Sequence, residues 1–78
     1  MTHTVNRAAQ FVDRTWLEKA RVRKNYTQAQ VAKASGMSTA NYNRVEKGMS
    51  LPSVVSALRL CDYLDEDVRK FLTEKPLN

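Results

Sequence analysis

Residues 27–48 read TQAQVAKASGMSTANYNRVEKG, and this stretch decides the fold. Thr27 followed by Gln30 fits a capping box, which predicts that a helix begins here. Gly36 suits the left-handed conformation in which a helix ends. Ser38 is a good N-cap for a second helix, which Gly48 closes. The stretch therefore predicts two short helices joined by a three-residue turn.

The second of these helices has two different faces. On a wheel turned by about 100° per residue, one side is made of Tyr42, Val45 and Glu46. The opposite side is made of Ala40, Asn43, Arg44 and Lys47. It lacks large apolar groups and carries amide and guanidinium groups. In the major groove of B-DNA, Arg reads guanine, Asn reads adenine and methyl groups contact thymine. This helix is therefore a candidate DNA-reading element, with Thr39 near its start.

Helical spacing also predicts the elements outside this stretch. The first helix runs from about Val12 to Lys24, with a stripe of Val12, Trp16, Leu17 and Ala20. After Pro52-Ser53 the inward stripe of a fourth helix is Val54, Ala57, Leu58, Cys61 and Leu64. A short fifth helix has Val68, Phe71 and Leu72 on its apolar side and ends at Pro76. We expect one domain over residues 11–75, preceded by a flexible or partly helical segment at residues 1–10.

Composition narrows the class of protein. The chain has 78 residues and a net charge of +5. Residues 1–49 hold nine Lys and Arg against three Asp and Glu, a net of +6, whereas residues 50–78 hold four against five, a net of −1. An excess of positive charge in one part of a small domain indicates nucleic acid as a partner, with a merely basic surface as the alternative.

The same composition disfavours several other classes. Cys61 is alone and His3 has no second ligand near it, so we expect no disulfide, metal, cofactor or catalytic site. No apolar run is long enough to span a membrane. No signal-peptide pattern opens the chain, so we expect a cytoplasmic location.

From about Val12 to Leu72 the chain resembles the lambda-repressor-like, Cro-type helix-turn-helix family. The matching residues are Leu17, Arg21, Tyr26-Thr27-Gln28, Val31-Ala32, Ser35-Gly36-Met37-Ser38, Tyr42, Val45-Glu46-Lys47-Gly48, Pro52-Ser53, Leu58, Cys61 and Leu64. The resemblance implies an all-α fold, a compact five-helix lambda-repressor-like bundle with a helix-turn-helix. It also implies operator binding as a dimer, with the third helix in the major groove.

The resemblance further implies roles for single residues. Thr39, Ala40 and Arg44 occupy base-reading positions, and Asn41 and Lys47 occupy phosphate-contacting positions. Gln28 stands where the family holds a phosphate and buttresses a base-reading side chain. Arg21 and Glu46 match a buried ion pair. The full set of candidate DNA-binding residues is Gln28, Ser38, Thr39, Ala40, Asn41, Asn43, Arg44 and Lys47.

The sequence departs from the family pattern at three places. Asn25 stands where the family often has Gly, Tyr42 where it has an aliphatic residue, and Asp65-Glu66 where it prefers Gly-Val. The turn into the fifth helix is therefore expected to differ. Surplus apolar groups on the last two helices predict a homodimer interface, formed by Leu60, Tyr63, Phe71 and Leu72.

These observations favour a sequence-specific transcriptional regulator, a repressor that binds double-stranded DNA with a palindromic operator as a homodimer. One alternative is an antitoxin that binds a toxin protein as well as its own operator. Another is a protein-interaction module without DNA binding, which Arg44 and Lys47 disfavour. An enzyme is disfavoured because neither paired carboxylates nor an activated nucleophile can be found.

Overall fold

The computed structural model describes residues 11–77, which are helical as expected. Its α-helices are α1 (Thr15–Arg23), α2 (Gln28–Ser35), α3 (Thr39–Glu46) and α4 (Val54–Leu64). They are followed by a 3-10 helix, Val68–Leu72. The described residues form no strand, only an isolated antiparallel bridge between Val12 and Pro76. The predicted segment at residues 1–10 lies outside the described range.

The predicted fifth α-helix is a 3-10 helix instead. The Asp67 side chain accepts a hydrogen bond from the Arg69 N–H at 2.9 Å and so begins it. Its backbone bonds join residues three apart, from Lys70 N–H to the Asp67 carbonyl at 3.0 Å and from Thr73 N–H to the Lys70 carbonyl at 3.3 Å. Residues 68–72 therefore have the tighter i→i+3 bonding of a 3-10 helix.

Helix α1 begins three residues later than the stripe of apolar residues predicts. The Val12 N–H donates to the Gly48 carbonyl at 3.2 Å, and the Asp13 N–H donates to the Lys75 carbonyl at 2.8 Å. Asp13 then accepts from the Thr15 N–H at 3.1 Å. Residues 12 and 13 therefore lie outside the helix, and their N–H groups are bonded to distant carbonyls.

The predicted ends of α2 and α3 are confirmed. The capping box of Thr27 and Gln30 is complete, and Gly36 is left-handed with φ +78°. The Ser38 hydroxyl accepts from the Asn41 N–H at 3.1 Å. Gly48 has φ +80°, and a Cβ atom there would overlap the carbonyl oxygen of Val12. Glycine at position 48 thus lets the residues before α1 lie against the end of α3.

The core is small and lies between all four α-helices. Its buried apolar residues are Leu17, Ala20, Val31, Ala32, Tyr42, Val45, Leu60, Cys61 and Leu64. Helix α2 packs on both α3 and α4. The hydroxyl of Tyr42 makes no hydrogen bond with any described residue, and burial raises its pKa. The ring of Tyr42 is fully buried and is part of this core.

The inward stripe of α4 differs from the predicted one. Ala57, Cys61 and Leu64 are buried as expected, but Leu60 joins them while Leu58 is 51% exposed. On the helix wheel Leu60 lies about 60° from Ala57 and Leu58 about 100° from it, so Leu60 is nearer the centre of the stripe. Val54 is 76% exposed in the first turn. Leu60 is therefore a core residue. The sequence analysis placed it in the dimer interface, and that placement is wrong.

A buried arginine ties the two ends of the described chain together. The Arg14 Nε and a terminal nitrogen donate to the Glu74 carboxylate at 2.6 and 2.7 Å. Its other terminal nitrogen donates to the carbonyls of Val45 at 2.7 Å and Ser50 at 2.6 Å. Trp16 donates its Nε1–H to the same carboxylate at 2.8 Å. We call Arg14, Trp16 and Glu74 the terminal clamp.

The terminal clamp is expected to contribute strongly to stability. The Arg14 and Glu74 side chains are only 2% and 4% exposed, so Glu74→Ala leaves a buried guanidinium without its counter-ion. We expect the free energy of unfolding to fall by about 3 kcal/mol, measured by urea denaturation. The control is Lys75→Ala, whose side chain is exposed and should matter by less than about 0.5 kcal/mol. Equal midpoints for the two variants would contradict this role.

Candidate nucleic-acid interface

Helix α3 exposes the face that the sequence analysis assigned to DNA. The side chains on that face are Thr39, Ala40, Asn41, Arg44 and Lys47, all exposed, and Asn43, which is half-buried. Ser38 is exposed at the preceding turn, where its hydroxyl caps α3. The other side is buried, through Tyr42, Val45 and Glu46. The predicted division of α3 into two faces is therefore confirmed.

Two cations on this face are unpaired within the described part of the chain. Neither Arg44 nor Lys47 makes a side-chain hydrogen bond or an ion pair with another of residues 11–77. Over residues 27–48 the one acid is Glu46, and it is buried. The positive charge of α3 is therefore not offset by carboxylates of the helix-turn-helix itself.

The acids that follow α4 are paired with other bases. Glu66 contacts Arg23 at 2.6 Å and Lys70 at 2.7 Å, and the Lys70 hydrogen bond lowers the pKa of Glu66. Hydrogen bonds from Arg69 hold the pKa of Asp67 at about 2. These carboxylates stay ionised near neutral pH, and their charge is balanced by bases other than those of α3.

The ion pair expected between Arg21 and Glu46 is present. Arg21 Nε lies 2.9 Å from Glu46 Oε2 and 3.3 Å from Oε1. The two side chains are 15% and 4% exposed. Arg21 also donates to the Tyr26 carbonyl at 2.9 Å, which fixes its guanidinium at the end of α1. The pair therefore joins α1 to the last turn of α3.

Gln28 extends this pair to the exposed face. Its Nε2 donates to Glu46 Oε1 at 2.6 Å, and its Oε1 accepts from Asn43 Nδ2 at 3.2 Å. We call the series Arg21, Glu46, Gln28 and Asn43 the polar relay. The resemblance implied that Gln28 buttresses a base-reading side chain, and the side chain that it contacts here is that of Asn43.

The predicted dimer residues do not form one exposed surface. Leu60 is fully buried. Tyr63 is half-buried and stacks on Tyr26, with ring centroids 4.5 Å apart. Phe71 is half-buried, its ring 5.1 Å from that of Trp16 in an edge-to-face arrangement. Of the predicted four, Leu72 is the one that is mostly exposed, at 83%.

A different group of apolar side chains surrounds Leu72. Leu51, Val54 and Leu58 are more than half exposed and line a groove with Leu72, between α4 and the 3-10 helix. We call these four residues the apolar patch. The sequence analysis missed it because it placed Val54 and Leu58 on the inward stripe of the fourth helix and assigned no role to Leu51.

Other chemistry is not organised in the described range. Residues 11–77 contain no group of three or more His, Cys, Asp or Glu side chains placed to hold a metal. Burial raises the pKa of the Cys61 thiol to about 11, so it is protonated at neutral pH. His3 lies outside the described residues. None of the described helices is both long and apolar enough to cross a membrane.

Comparison with known proteins gives the family. A family model described as helix-turn-helix matches residues 17–71. This chain belongs to the Cro/C1-type helix-turn-helix family of DNA-binding transcriptional regulators. The helix-turn-helix domain of this family is typically non-enzymatic. The residues of the terminal clamp, Arg14, Trp16 and Glu74, lie outside the matched range.

Three known proteins are similar to this chain. A regulator of Bacillus subtilis (strain 168), "Uncharacterized HTH-type transcriptional regulator YqaF", is 39% identical over 54 residues, which cover 69% of this chain and 71% of that protein. The restriction-modification controller protein C.AhdI from Aeromonas hydrophila is 31% identical with a TM-score of 0.61, covering 69% of this chain and 82% of its own. The SOS-response transcriptional repressor LexA from Eubacterium rectale has a TM-score of 0.68 at 24% identity, covers 100% of this chain and 80% of its own, and shows the fold alone.

The buried ion pair is expected to be essential for stability. Glu46→Ala removes the counter-ion of Arg21 and a partner of Gln28, so unfolding free energy should fall by about 3–5 kcal/mol. Glu18→Ala, at an exposed glutamate of α1, is the matched control and should change it by less than about 0.5 kcal/mol. Thermal unfolding of both variants checks this, and an unchanged midpoint for Glu46→Ala would refute it.

Proposed function

We propose that this chain is a repressor that binds a palindromic operator as a homodimer, with its DNA-binding domain at residues 11–75. The observation that carries the proposal is the exposed face of α3, where Arg44 and Lys47 are unpaired within the described residues. Membership of the helix-turn-helix family supports the same role. Operator binding places the proposed site of action in the cytoplasm, and the proposal includes no catalysis and no cofactor.

In the proposed complex, α3 enters the major groove and its side chains divide into two groups. Ser38, Asn41, Lys47 and the second N–H of Gln28 bind phosphates and set the register. Thr39, Ala40, Asn43 and Arg44 read base edges. One such domain contacts too little DNA for tight specific binding, which is the physical reason for a two-fold dimer. Occupied operators would then exclude RNA polymerase.

The apolar patch supports the dimer. Leu51, Val54, Leu58 and Leu72 expose apolar area on one side of the domain, where burial against a second copy would be favourable. The same patch favours a second candidate, an antitoxin that uses it to bind a toxin protein. A chain that stays monomeric on its operator would favour that candidate over the homodimer.

Arg44 and Lys47 are expected to give different signatures in DNA binding. Arg44 lies within α3, so Arg44→Ala should cost about 1–3 kcal/mol per half-site and relax the preference at one base position. Lys47 is the C-cap residue of α3, which in the proposed complex lies near the sugar-phosphate backbone of the groove. Lys47→Ala should therefore weaken binding to all sequences alike. It should also lower the slope of log affinity against log salt by about one unit.

Selection from random duplexes supplies the operator, and titrations of both variants against it and its single-base variants make the measurement. Both side chains are exposed, so thermal stability should shift by less than about 0.5 kcal/mol and serves as the control. Uniform weakening by Arg44→Ala would make Arg44 a phosphate contact. If neither variant changes binding, α3 does not lie in the groove.

Leu58→Glu is expected to abolish dimer formation, because it places a charge within the apolar patch. Sedimentation of the parent chain should show a dimer, and that of Leu58→Glu a monomer. The control is Val22→Glu, at a 54% exposed residue of α1 outside the patch, which should remain dimeric. Dimers in both variants would place the interface elsewhere.

A further inference from the structure

The buried carboxylate of Glu46 fixes the direction of every hydrogen bond in the polar relay. An ionised carboxylate only accepts hydrogen bonds, and a guanidinium only donates them. The group of Gln28 that faces Glu46 at 2.6 Å is therefore its NH2. The oxygen of the same amide is left to face Asn43, and it can only accept.

Asn43 must therefore turn its NH2 toward Gln28. The donor is Asn43 Nδ2, 3.2 Å from Gln28 Oε1. This bond uses one of its two N–H groups, so the carbonyl oxygen and the other N–H remain free. The side chain is half-buried on the outward half of α3, beside the exposed Ala40 and Lys47. A free acceptor next to a free donor matches the adenine edge in the major groove, which offers the N6 amino group and N7.

We propose that Asn43 determines specificity for adenine at one base pair of each half-site, and that Gln28 acts as its positioning residue. The inference rests on the proposed DNA-binding function and deepens it. The orientation of the Asn43 amide originates in the Arg21–Glu46 ion pair, since that pair sets the orientation of Gln28. The polar relay thus joins a buried charge pair to base reading at the surface.

The first test needs no DNA. Hydrogen exchange of side-chain amides is followed by NMR in the parent chain and in Gln28→Ala, with Asn41 as the internal control. Asn41 is an exposed amide of the same helix that lies outside the polar relay. We expect the bonded Asn43 proton to exchange about fivefold more slowly than those of Asn41, which is what a net hydrogen bond of about 1 kcal/mol gives. The difference should vanish in Gln28→Ala, and equal exchange of the two amides in the parent chain would overturn the positioning role.

The second test selects bound sequences from random duplex DNA with the parent, Asn43→Ala, Gln28→Ala and the control Asn41→Ala. We expect an adenine preference at one position per half-site, reduced about tenfold by Asn43→Ala. Gln28→Ala should reduce the same preference for adenine. In the double variant with Asn43→Ala, it should cause no further loss of that preference. Asn41→Ala should weaken binding without changing the base preference. Circular dichroism checks that each variant is folded. If Gln28→Ala does not fold, the result for Asn43→Ala alone decides the test.

The outcomes separate this inference from the function on which it rests. No enriched sequence with the folded parent chain would overturn the proposed function itself. An enriched operator whose profile is unchanged in Asn43→Ala would overturn only the role of Asn43. A preference that depends on Asn43 but selects a base other than adenine would overturn the orientation given to its amide.

Discussion

The carboxylate of Glu46 is the group on which the arrangement of the first three helices depends. It is buried at the end of α3 and contacts Arg21 of α1 and Gln28 of α2. A buried charge is tolerated only with a counter-ion and donors, so each of these helices must lie where its side chain can reach. Together with the buried Tyr42 and Val45, the carboxylate fixes the rotation of α3 and so the direction in which its outer face points.

A second guanidinium holds the same end of α3 from the other side. Arg14 donates to the Val45 carbonyl in the last turn of α3, which also accepts from the Gly48 N–H, and its charge is balanced by Glu74. The guanidinium of Arg21 is balanced in the same way, by the carboxylate of Glu46. Two paired guanidinium groups therefore hold the C-terminal end of α3, whereas Lys47 at that end is exposed.

The parts of the fold that depend on neighbouring residues could be predicted from the sequence. The capping box at Thr27, the left-handed Gly36 and the N-cap Ser38 are local, and so is the spacing that buries Tyr42 and Val45. At Asn25 and Asp65, where the family prefers glycine, the backbone keeps the left-handed conformation, with φ of 61° and 56°. Asparagine and aspartate tolerate this conformation better than other residues do. Both residues therefore adopt a conformation that glycine favours.

The features that could not be predicted from the sequence are those that depend on contacts between residues far apart in the chain. Whether Leu58 or Leu60 enters the core depends on how α4 lies against α2, and the spacing of apolar residues allows both. Arg14 falls on the stripe of Leu17 and Arg21, which marks it as inward-facing, but nothing local names Glu74 as its partner sixty residues away. The late start of α1 has the same cause, since Val12 and Asp13 bond to Gly48 and Lys75.

The two kinds of reading side chain on α3 follow from these constraints. Arg44 is long and unpaired within the described residues, so it must lose rotamer freedom when it binds a base, but it can adapt to small changes in the path of the groove. Asn43 is short and already held by Gln28, so little entropy remains to be lost and little adaptation is allowed. In the proposed complex a rigid amide and a flexible guanidinium therefore lie on consecutive residues of one helix. Asn43 would discriminate sharply between bases where α3 lies in its best position in the groove. Arg44 would keep its contact where that position varies.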